Sequence, residues 1–355
     1  MSGKVLLGMS GGVDSSVAAL LLKKNGYDVI GLHFSLTGEK EDLSDVNSVC
    51  EKLNIPLVVK DFSVVFKEKV FEPFIREYES GFTPNVCVEC NKNIKFGEMF
   101  SVAEEYDCDF IATGHYCTIT NLYGRFYLKK GSDSLKDQSY FLNGITEKIL
   151  RKVLFPLSPF TKEEVRKIAE LNGLVTARKK GSSDVCLAGD RDFRDFLRDY
   201  IPPNQGKTIN EKGEVVGTHS GLFNYTLGQR KGLNLGGRKG EAGGRWFVIG
   251  KDVKNNRLIV SHGSEEKLFA KEVFVENFNF INGLPSEKTF RCTGKTRYRE
   301  QDTPATAYVD GNSVRIVFDE PKRAVTEGQY CVLYRDDGEL KGTVIGGGKI
   351  TTDAV

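Results

Sequence analysis

No stretch of the sequence approaches the ~18 consecutive apolar residues of a membrane-spanning helix. Nor does the opening Met1-Ser-Gly-Lys4, followed by Val5-Leu-Leu7, carry the apolar core of roughly 7–15 residues that marks a secretory signal. A cytoplasmic protein without a membrane partner is the expectation. An excess of one charge sign is also missing: 50 Lys+Arg face 48 Asp+Glu, for a formal +2. That balance excludes a polybasic protein that holds nucleic acid by bulk charge. Internal repeats and low-complexity tracts are absent. Histidine is scarce, at 4 residues, and His33, His219 and His262 show no partner spacing.

What is present is a globular composition. The 355 residues are 39% hydrophobic and 28% charged, which at a nominal ~150 residues per domain predicts two to three domains. Glycine is over-represented, with 38 residues, so many tight turns or close backbone approaches are needed. Eight cysteines lie at 50, 87, 90, 108, 117, 186, 292 and 331. In a reducing compartment these are catalytic, metal-binding or buried rather than bridged.

The first ~170 residues alternate apolar runs with amphipathic stretches: strands at 4–9, 28–34, 57–61 and 110–113, and helices at 15–25, 43–53, near 64–79 and near 92–106. That alternation predicts βαβ units and a parallel sheet with ligands at its carboxyl edge. From about 205 the character changes. Between 205 and 250 there are twelve glycines, and seven Lys/Arg against three Asp/Glu, so this stretch is locally basic. Beyond ~270, short strands at 273–275, 290–298, 306–309, 313–318, 329–334 and 342–345, with turns at Asp310-Gly311 and Asp337-Gly338, predict a small antiparallel barrel.

Strand 4–9 runs directly into Ser10-Gly-Gly-Val-Asp-Ser-Ser16 and a helix. Glycines here let backbone N–H groups close on a phosphate, the helix N-terminus adds its positive dipole end, and two serines supply hydroxyls. The loop lacks the Gly-Lys-Ser/Thr of a Walker A motif and the spacing of G-x-G-x-x-G. A glycine turn capped by Asp14 or Ser15 would account for the cap but not for paired glycines after a buried strand. The segment resembles the PP-loop of the ATP pyrophosphatases, which cleave ATP between its α- and β-phosphates. That resemblance implies that Gly8, Met9, Ser10, Gly11, Gly12, Val13, Asp14 and Ser15 hold the pyrophosphate of ATP. It also implies Mg²⁺ at Asp14, adenine near Phe34, and Gly114 among the ATP-binding residues on the same edge of the sheet.

Two further segments, Thr83-Pro-Asn-Val-Cys-Val-Glu-Cys-Asn-Lys-Asn-Ile-Lys-Phe96 and Gly181-Ser-Ser-Asp-Val-Cys-Leu-Ala-Gly-Asp190, resemble the tRNA-uridine 2-sulfurtransferases (2-thiouridylases), which place sulfur on the wobble uridine of tRNA. The likeness continues through Lys136-Asp-Gln138, Tyr225-Thr-Leu-Gly-Gln-Arg-Lys-Gly232, Arg297-Tyr298 and Gly346-Gly-Gly348, and so spans nearly the whole chain. It implies ATP activation of uracil O2, a persulfide on Cys186, and Cys90 as the second thiol, which releases sulfide or ends in a Cys90–Cys186 disulfide. Lys92 and Lys95, just after Cys90, would favour its thiolate unless they are simply solvated. A sulfur-donor protein or sulfide and a reductant are the implied partners. Contact with tRNA is implied for Asn85, Val86, Cys87, His115, Lys136, Asp137, Gln138, Arg297, Tyr298 and Gln329.

At Cys87 the sequence departs from the family pattern, which more often has Asp. The result is Cys87-x-x-Cys90 and, with Cys186, three thiolates that could hold a 4Fe-4S cluster with one open position. Structural zinc is disfavoured, because no fourth Cys or His lies at ligand spacing. Basic and aromatic residues at Tyr225, Arg230, Lys231, Arg297 and Tyr298 suit phosphate and stacking contacts to a splayed RNA loop. DNA is not expected. Gly181-Ser182-Ser183 would suit a segment that carries Cys186 between outside and inside. The expected organisation is a PP-loop catalytic domain at 1–195, a central tRNA-binding domain at 205–270 and a C-terminal β-barrel at 271–355. Two competing readings are an amide-forming PP-loop enzyme, which would need neither Cys90 with Cys186 nor the basic stretch, and a non-catalytic iron-sulfur RNA-binding protein with a vestigial ATP loop.

Overall fold

The computed structural model describes residues 3–39, 41–179, 186–189, 191–236 and 244–351. Gly181-Ser182-Ser183, Arg238 and Lys239 lie outside them. The first unit is a five-stranded sheet in the order β3-β2-β1-β4-β7, comprising β1 Lys4–Gly8, β2 Asp28–Ser35, β3 Leu57–Asp61, β4 Phe110–Ala112 and β7 Val153–Leu154, with every pairing parallel. β1 is central, and Val5, Leu6 and Leu7 are fully buried. This is why its sequence reads as a continuous apolar run rather than an alternating one. α1 (Val13–Lys24) has Asp14 in its first turn and Lys23 and Lys24 in its last, so its charges complement the helix dipole at both ends. α2 (Ser44–Leu53) follows β2. The parallel pairing, element types and most boundaries agree with the expected α/β reading.

Two helical runs are irregular. In α3 (63–79) an α-helical turn passes through a π segment, Lys67–Phe71, into Glu72–Glu79. In α4 (86–105) Val86–Cys90 is α-helical, Asn91–Glu98 is π-helical and Met99–Glu105 is α-helical again. The expected helix start near 92 is therefore corrected to Val86, and Cys87 and Cys90 sit on the helix rather than ahead of it. Pro84 and Asn85 mark the boundary: the residue before the proline, Thr83, is kept out of the α region, and Asn85, after it, is extended at φ −109°. A hairpin of β5 (Cys117–Leu122) and β6 (Arg125–Lys130) was not expected from the sequence. α5 (Lys162–Leu171) and α6 (Phe193–Arg198) complete this unit.

The second unit is a four-stranded sheet in the order β10-β11-β8-β9, from β8 Gly206–Asn210, β9 Val215–His219, β10 Trp246–Asp252 and β11 Arg257–His262. The third is a closed barrel, β12-β15-β14-β13-β16-β17, antiparallel throughout. Its strands are β12 Phe269–Phe280, β13 Thr289–Lys295, β14 Thr303–Asp310, β15 Ser313–Arg323, β16 Tyr330–Tyr334 and β17 Val344–Thr351. Most are longer than the sequence suggests. β17 runs through Gly346-Gly-Gly348, where a Cβ on Gly346 would come within 1.9 Å of the Asn279 carbonyl oxygen, so only glycine lets the strands close. No helix among the described residues is long and apolar enough to cross a membrane.

Candidate active site

The loop after β1 is held from beneath. The Met9 N–H donates to Leu32 O (2.8 Å), and the buried His33 ring lies with Nδ1 2.9 Å from Met9 O and Nε2 2.8 Å from Glu41. Gly11 takes φ +68°, a conformation that favours glycine, and Gly12 is the N-cap of α1. The Ser15 and Ser16 hydroxyls both donate to Gly12 O (3.1 and 2.8 Å), which locks the first turn. Gly114 is pressed against the loop: a Cβ there would meet the Asp14 carbonyl carbon at 3.0 Å and Ser15 N at 3.1 Å. The loop thus presents backbone N–H groups and a helix N-terminus at the carboxyl end of the central strand, an anion site.

Three residues at this loop were not anticipated. The Asp14 carboxylate accepts from Tyr116 Oη (2.6 Å) and from Lys162 Nζ (2.6 and 2.7 Å). Lys179 Nζ reaches Gly11 O (3.2 Å) and Asp45 (2.6 Å). A sequence signal existed for Lys162: Thr161-Lys-Glu-Glu164 is a capping box, and both its reciprocal hydrogen bonds are present, which fixes Lys162 as the first residue of α5. Asp14 is a hard oxygen donor with about a third of its side chain exposed, so it fits a magnesium ion that arrives with a triphosphate.

Phe34 joins this loop to the cysteines. Its ring lies against Gly8, 3.2 Å from where a Cβ would sit, and it packs on the apolar cluster containing Cys90, Val86, Ile94 and Ala188. Cys87 and Leu187 touch the same cluster. Cys90 is buried, Cys87 half-buried and Cys186 exposed, on a short 3₁₀ turn Cys186–Ala188. Burial pushes the Cys90 thiol up to about 11, opposed by the Lys95 charge and reinforced by Cys186 and Cys87. Burial raises Cys87 too, and Cys186 adds to that. Cys87 and Cys186 are thus within electrostatic reach of Cys90 and disfavour its thiolate. Among the described residues, however, no three His, Cys, Asp or Glu side chains gather to hold a metal. One exposed, one half-buried and one buried thiol do not fit a preformed iron-sulfur site.

Lys95 owes its position to the π segment. Five residues along an α-helix place a side chain about 140° around the axis, whereas the wider turn of i→i+5 bonding brings it much closer to the face of its starting point. Lys95 therefore falls on the face of Cys90. It also bears on His115, which is fully enclosed between Phe96 and Phe155 (5.9 and 6.2 Å between ring centroids) with Nδ1 2.7 Å from Thr113 Oγ1. Burial, with Lys95 adding, pushes that imidazole well below its ordinary range, so it is neutral.

Several residues expected to touch RNA have internal partners. His115 is buried. The Asp137 carboxylate is buried and accepts from Gly131 N, Ser139 N and Ser139 Oγ (3.0, 3.1 and 2.9 Å). Gln138 Oε1 accepts from Tyr116 N (3.0 Å), and so steadies the tyrosine that holds Asp14. Arg297 donates to Ala324 O (2.7 Å) and Thr326 Oγ1 (2.6 Å). Gln329 Nε2 donates to Thr83 O (2.6 Å). Tyr225 belongs to the apolar cluster of the central sheet and offers no free face for stacking. Lys136, Arg230 and Lys231 are exposed, and Asn85 and Cys87 are half-buried. The half-buried Tyr298 ring packs on Phe141 at 4.3 Å.

Family models match the chain end to end: tRNA methyl transferase HUP domain over residues 3–190, tRNA methyl transferase PRC-barrel domain over 194–262, and aminomethyltransferase beta-barrel domain over 270–350. The chain is similar to tRNA-specific 2-thiouridylase MnmA of Psychromonas ingrahamii, 44% identical over 354 residues, with 96% of each chain covered. It is 45% identical over 367 residues to the protein of that name from Acinetobacter baumannii (97% of each). To that from Bacillus cytotoxicus it is 44% identical over 353 residues (96% of this chain, 94% of the other). A solved 4-thiouridine synthetase in complex with RNA and ATP covers 56% of this chain and 50% of its own at 17% identity and TM-score 0.35, a likeness too slight to argue from.

Proposed function

Because this chain belongs to the tRNA-specific 2-thiouridylase family, we propose that it is an ATP-dependent tRNA sulfurtransferase that replaces O2 of the wobble uracil with sulfur. The observation that carries this reading is the Phe34 bridge. A single ring contacts both the anion loop at Gly8 and the cluster that buries Cys90, so phosphate chemistry and thiol chemistry share one site.

Uracil C2=O is a poor electrophile. In the proposed reaction O2 attacks the α-phosphorus of ATP and pyrophosphate leaves, its charge met by the loop N–H groups, Lys162 and Lys179. Magnesium, held by Asp14, would supply further charge neutralisation for the leaving pyrophosphate. Cys186, exposed, suits reception of sulfur as a persulfide from a donor outside. Attack of the Cys90 thiolate on the Cys186 sulfur forms a Cys90–Cys186 disulfide and releases hydrosulfide. The hydrosulfide adds to C2, AMP leaves, and a dithiol reductant reopens the disulfide. Lys95 is the cation placed to favour the Cys90 thiolate. Exposed Lys136, Arg230 and Lys231 meet RNA phosphates, and half-buried Asn85 and Cys87 line the approach of the flipped base, with Val86 buried beneath them. His115, Asp137, Gln138, Arg297 and Gln329 shape the wall behind these contacts.

The test is incubation of unmodified tRNA with ATP, Mg²⁺ and a sulfur source, read by mercury-affinity gel. A retarded thiouridine band is expected, lost in Cys90→Ser and Cys186→Ser. No band under either aerobic or anaerobic conditions would overturn the reading.

A further inference from the structure

The last barrel strands reach back to the segment that carries the cysteines. Thr83 is gripped on both sides, its N–H donating to Glu327 O (3.0 Å) and its carbonyl accepting from Gln329 Nε2 (2.6 Å). Between them, Gly328 at φ +85° sits so close that a Cβ would meet Phe82 Cβ at 3.1 Å and Pro84 N at 3.2 Å. Seven residues after Thr83 comes Cys90, and just before it Glu89. The Glu89 carboxylate accepts from Tyr330 Oη (2.5 Å) and pairs with Lys349 (3.3 Å), which also pairs with Glu77 (2.5 Å) on α3. Asn93, one turn on, donates to Glu89 Oε2 (3.2 Å). Both ends of the segment 83–90 are therefore fixed by the barrel.

We propose that the C-terminal barrel is the positioning device for the working thiol: Gln329, Tyr330 and Lys349 hold segment 83–90 through Thr83 and Glu89 in the one orientation that aims Cys90 at the reacting centre. This rests on the reading of Cys90 as that thiol. Glu89 itself faces away from the chemistry, toward Tyr330 and Lys349. A misplacement of about 1 Å at a reacting group lowers turnover by up to ~10²-fold, so loss of the clamp acts on kcat and leaves substrate binding nearly intact.

The variants are Tyr330→Phe, Lys349→Met and Lys349→Arg, each assayed for thiolation with separate KM values for tRNA and ATP, and for iodoacetamide labelling of Cys90 by mass spectrometry. Expected are a fall in kcat of about ten- to a hundredfold in the first two, KM values close to wild type, faster Cys90 labelling, and recovery in Lys349→Arg. Lys349 is about a third exposed in its side chain, so Lys349→Met decides the matter if Tyr330→Phe does not fold. Wild-type kcat in Lys349→Met, or a raised KM for tRNA at unchanged kcat, would overturn the clamp. Cys90→Ser separates the two readings. If it retains full thiolation, the Cys90 assignment fails; if it is inactive while the clamp variants match wild type, the clamp alone fails.

Discussion

Lys162 Nζ lies 2.6 and 2.7 Å from the two carboxylate oxygens of Asp14, although the residues are 148 positions apart. The pair closes the anion loop with a cation that no loop motif contains. In the proposed reaction that ammonium serves the departing pyrophosphate, and removal of a preorganised charge of this kind costs about 10²-fold or more in kcat. Lys162→Met should therefore slow single-turnover pyrophosphate release about a hundredfold. Its thermal midpoint should stay near wild type, because a partly exposed pair is worth only ~1 kcal/mol or less. Unchanged pyrophosphate release would remove Lys162 from the reaction.

The Cys90 thiol, pushed up to about 11 by burial and drawn back by Lys95, should be slow to alkylate at neutral pH. Its iodoacetamide rate in a Cys186→Ser background should climb with pH well past the ~8.5 of a free cysteine. Lys95→Met removes the charge that favours thiolate, so labelling at pH 8 should slow further. A rate that levels off near pH 8, or faster labelling in Lys95→Met, would contradict this electrostatic picture.

Cys87 has no step in the persulfide route. Cys87→Asp should therefore retain thiolation within a few-fold of wild type, and protein prepared anaerobically should contain no iron. Collapse of activity in that variant, together with stoichiometric iron in the parent, would assign the three cysteines to a cluster after all.

Lys251, on β10, donates to Gly81 O (2.8 Å) and is pushed down to about 8 by burial, partly offset by Glu327. A lysine whose folded pKa lies below its unfolded ~10.4 destabilises the fold while charged. Between about pH 8 and 10 the unfolded chain binds the extra proton, so stability rises with pH across that window. Measured against Lys251→Met, in which other titrations cancel, the thermal midpoint of the wild type should gain on the variant from pH 8 to pH 10. A flat difference would show that the amine is not desolvated.

Much of this molecule could be read from local pattern. The strands β1 and β2, the helix α1 between them and the barrel announced themselves because burial imposes a period on the sequence, or an apolar run where both faces are covered. The paired glycines of the loop were legible because close approach to an anion leaves few alternatives. Lys162, Tyr116, Tyr330 and Lys349 were not, because their roles come from partners more than 100 residues away; even the capping box that places Lys162 at a helix start does not reveal Asp14 as its partner. The start of α4 was misplaced for a related reason: its helical pattern is interrupted by a π segment, and the 3.6-residue period fails where the backbone widens. His115, Asp137 and Arg297 stood in the right motifs, but motif membership did not tell inward-pointing side chains from outward ones.

The contact between Gln329 and Thr83 spans 246 positions of the chain. A ribosome making ~5–20 residues per second needs tens of seconds or less to bridge that interval, and N-terminal domains fold while it does so. The sheet that builds the anion loop can form early, but the segment bearing Cys90 cannot settle until β16 and β17 have emerged. A truncated or still-growing chain would hold a nucleotide loop without an aligned thiol, and so could not couple adenylation to sulfur delivery before its synthesis was nearly complete.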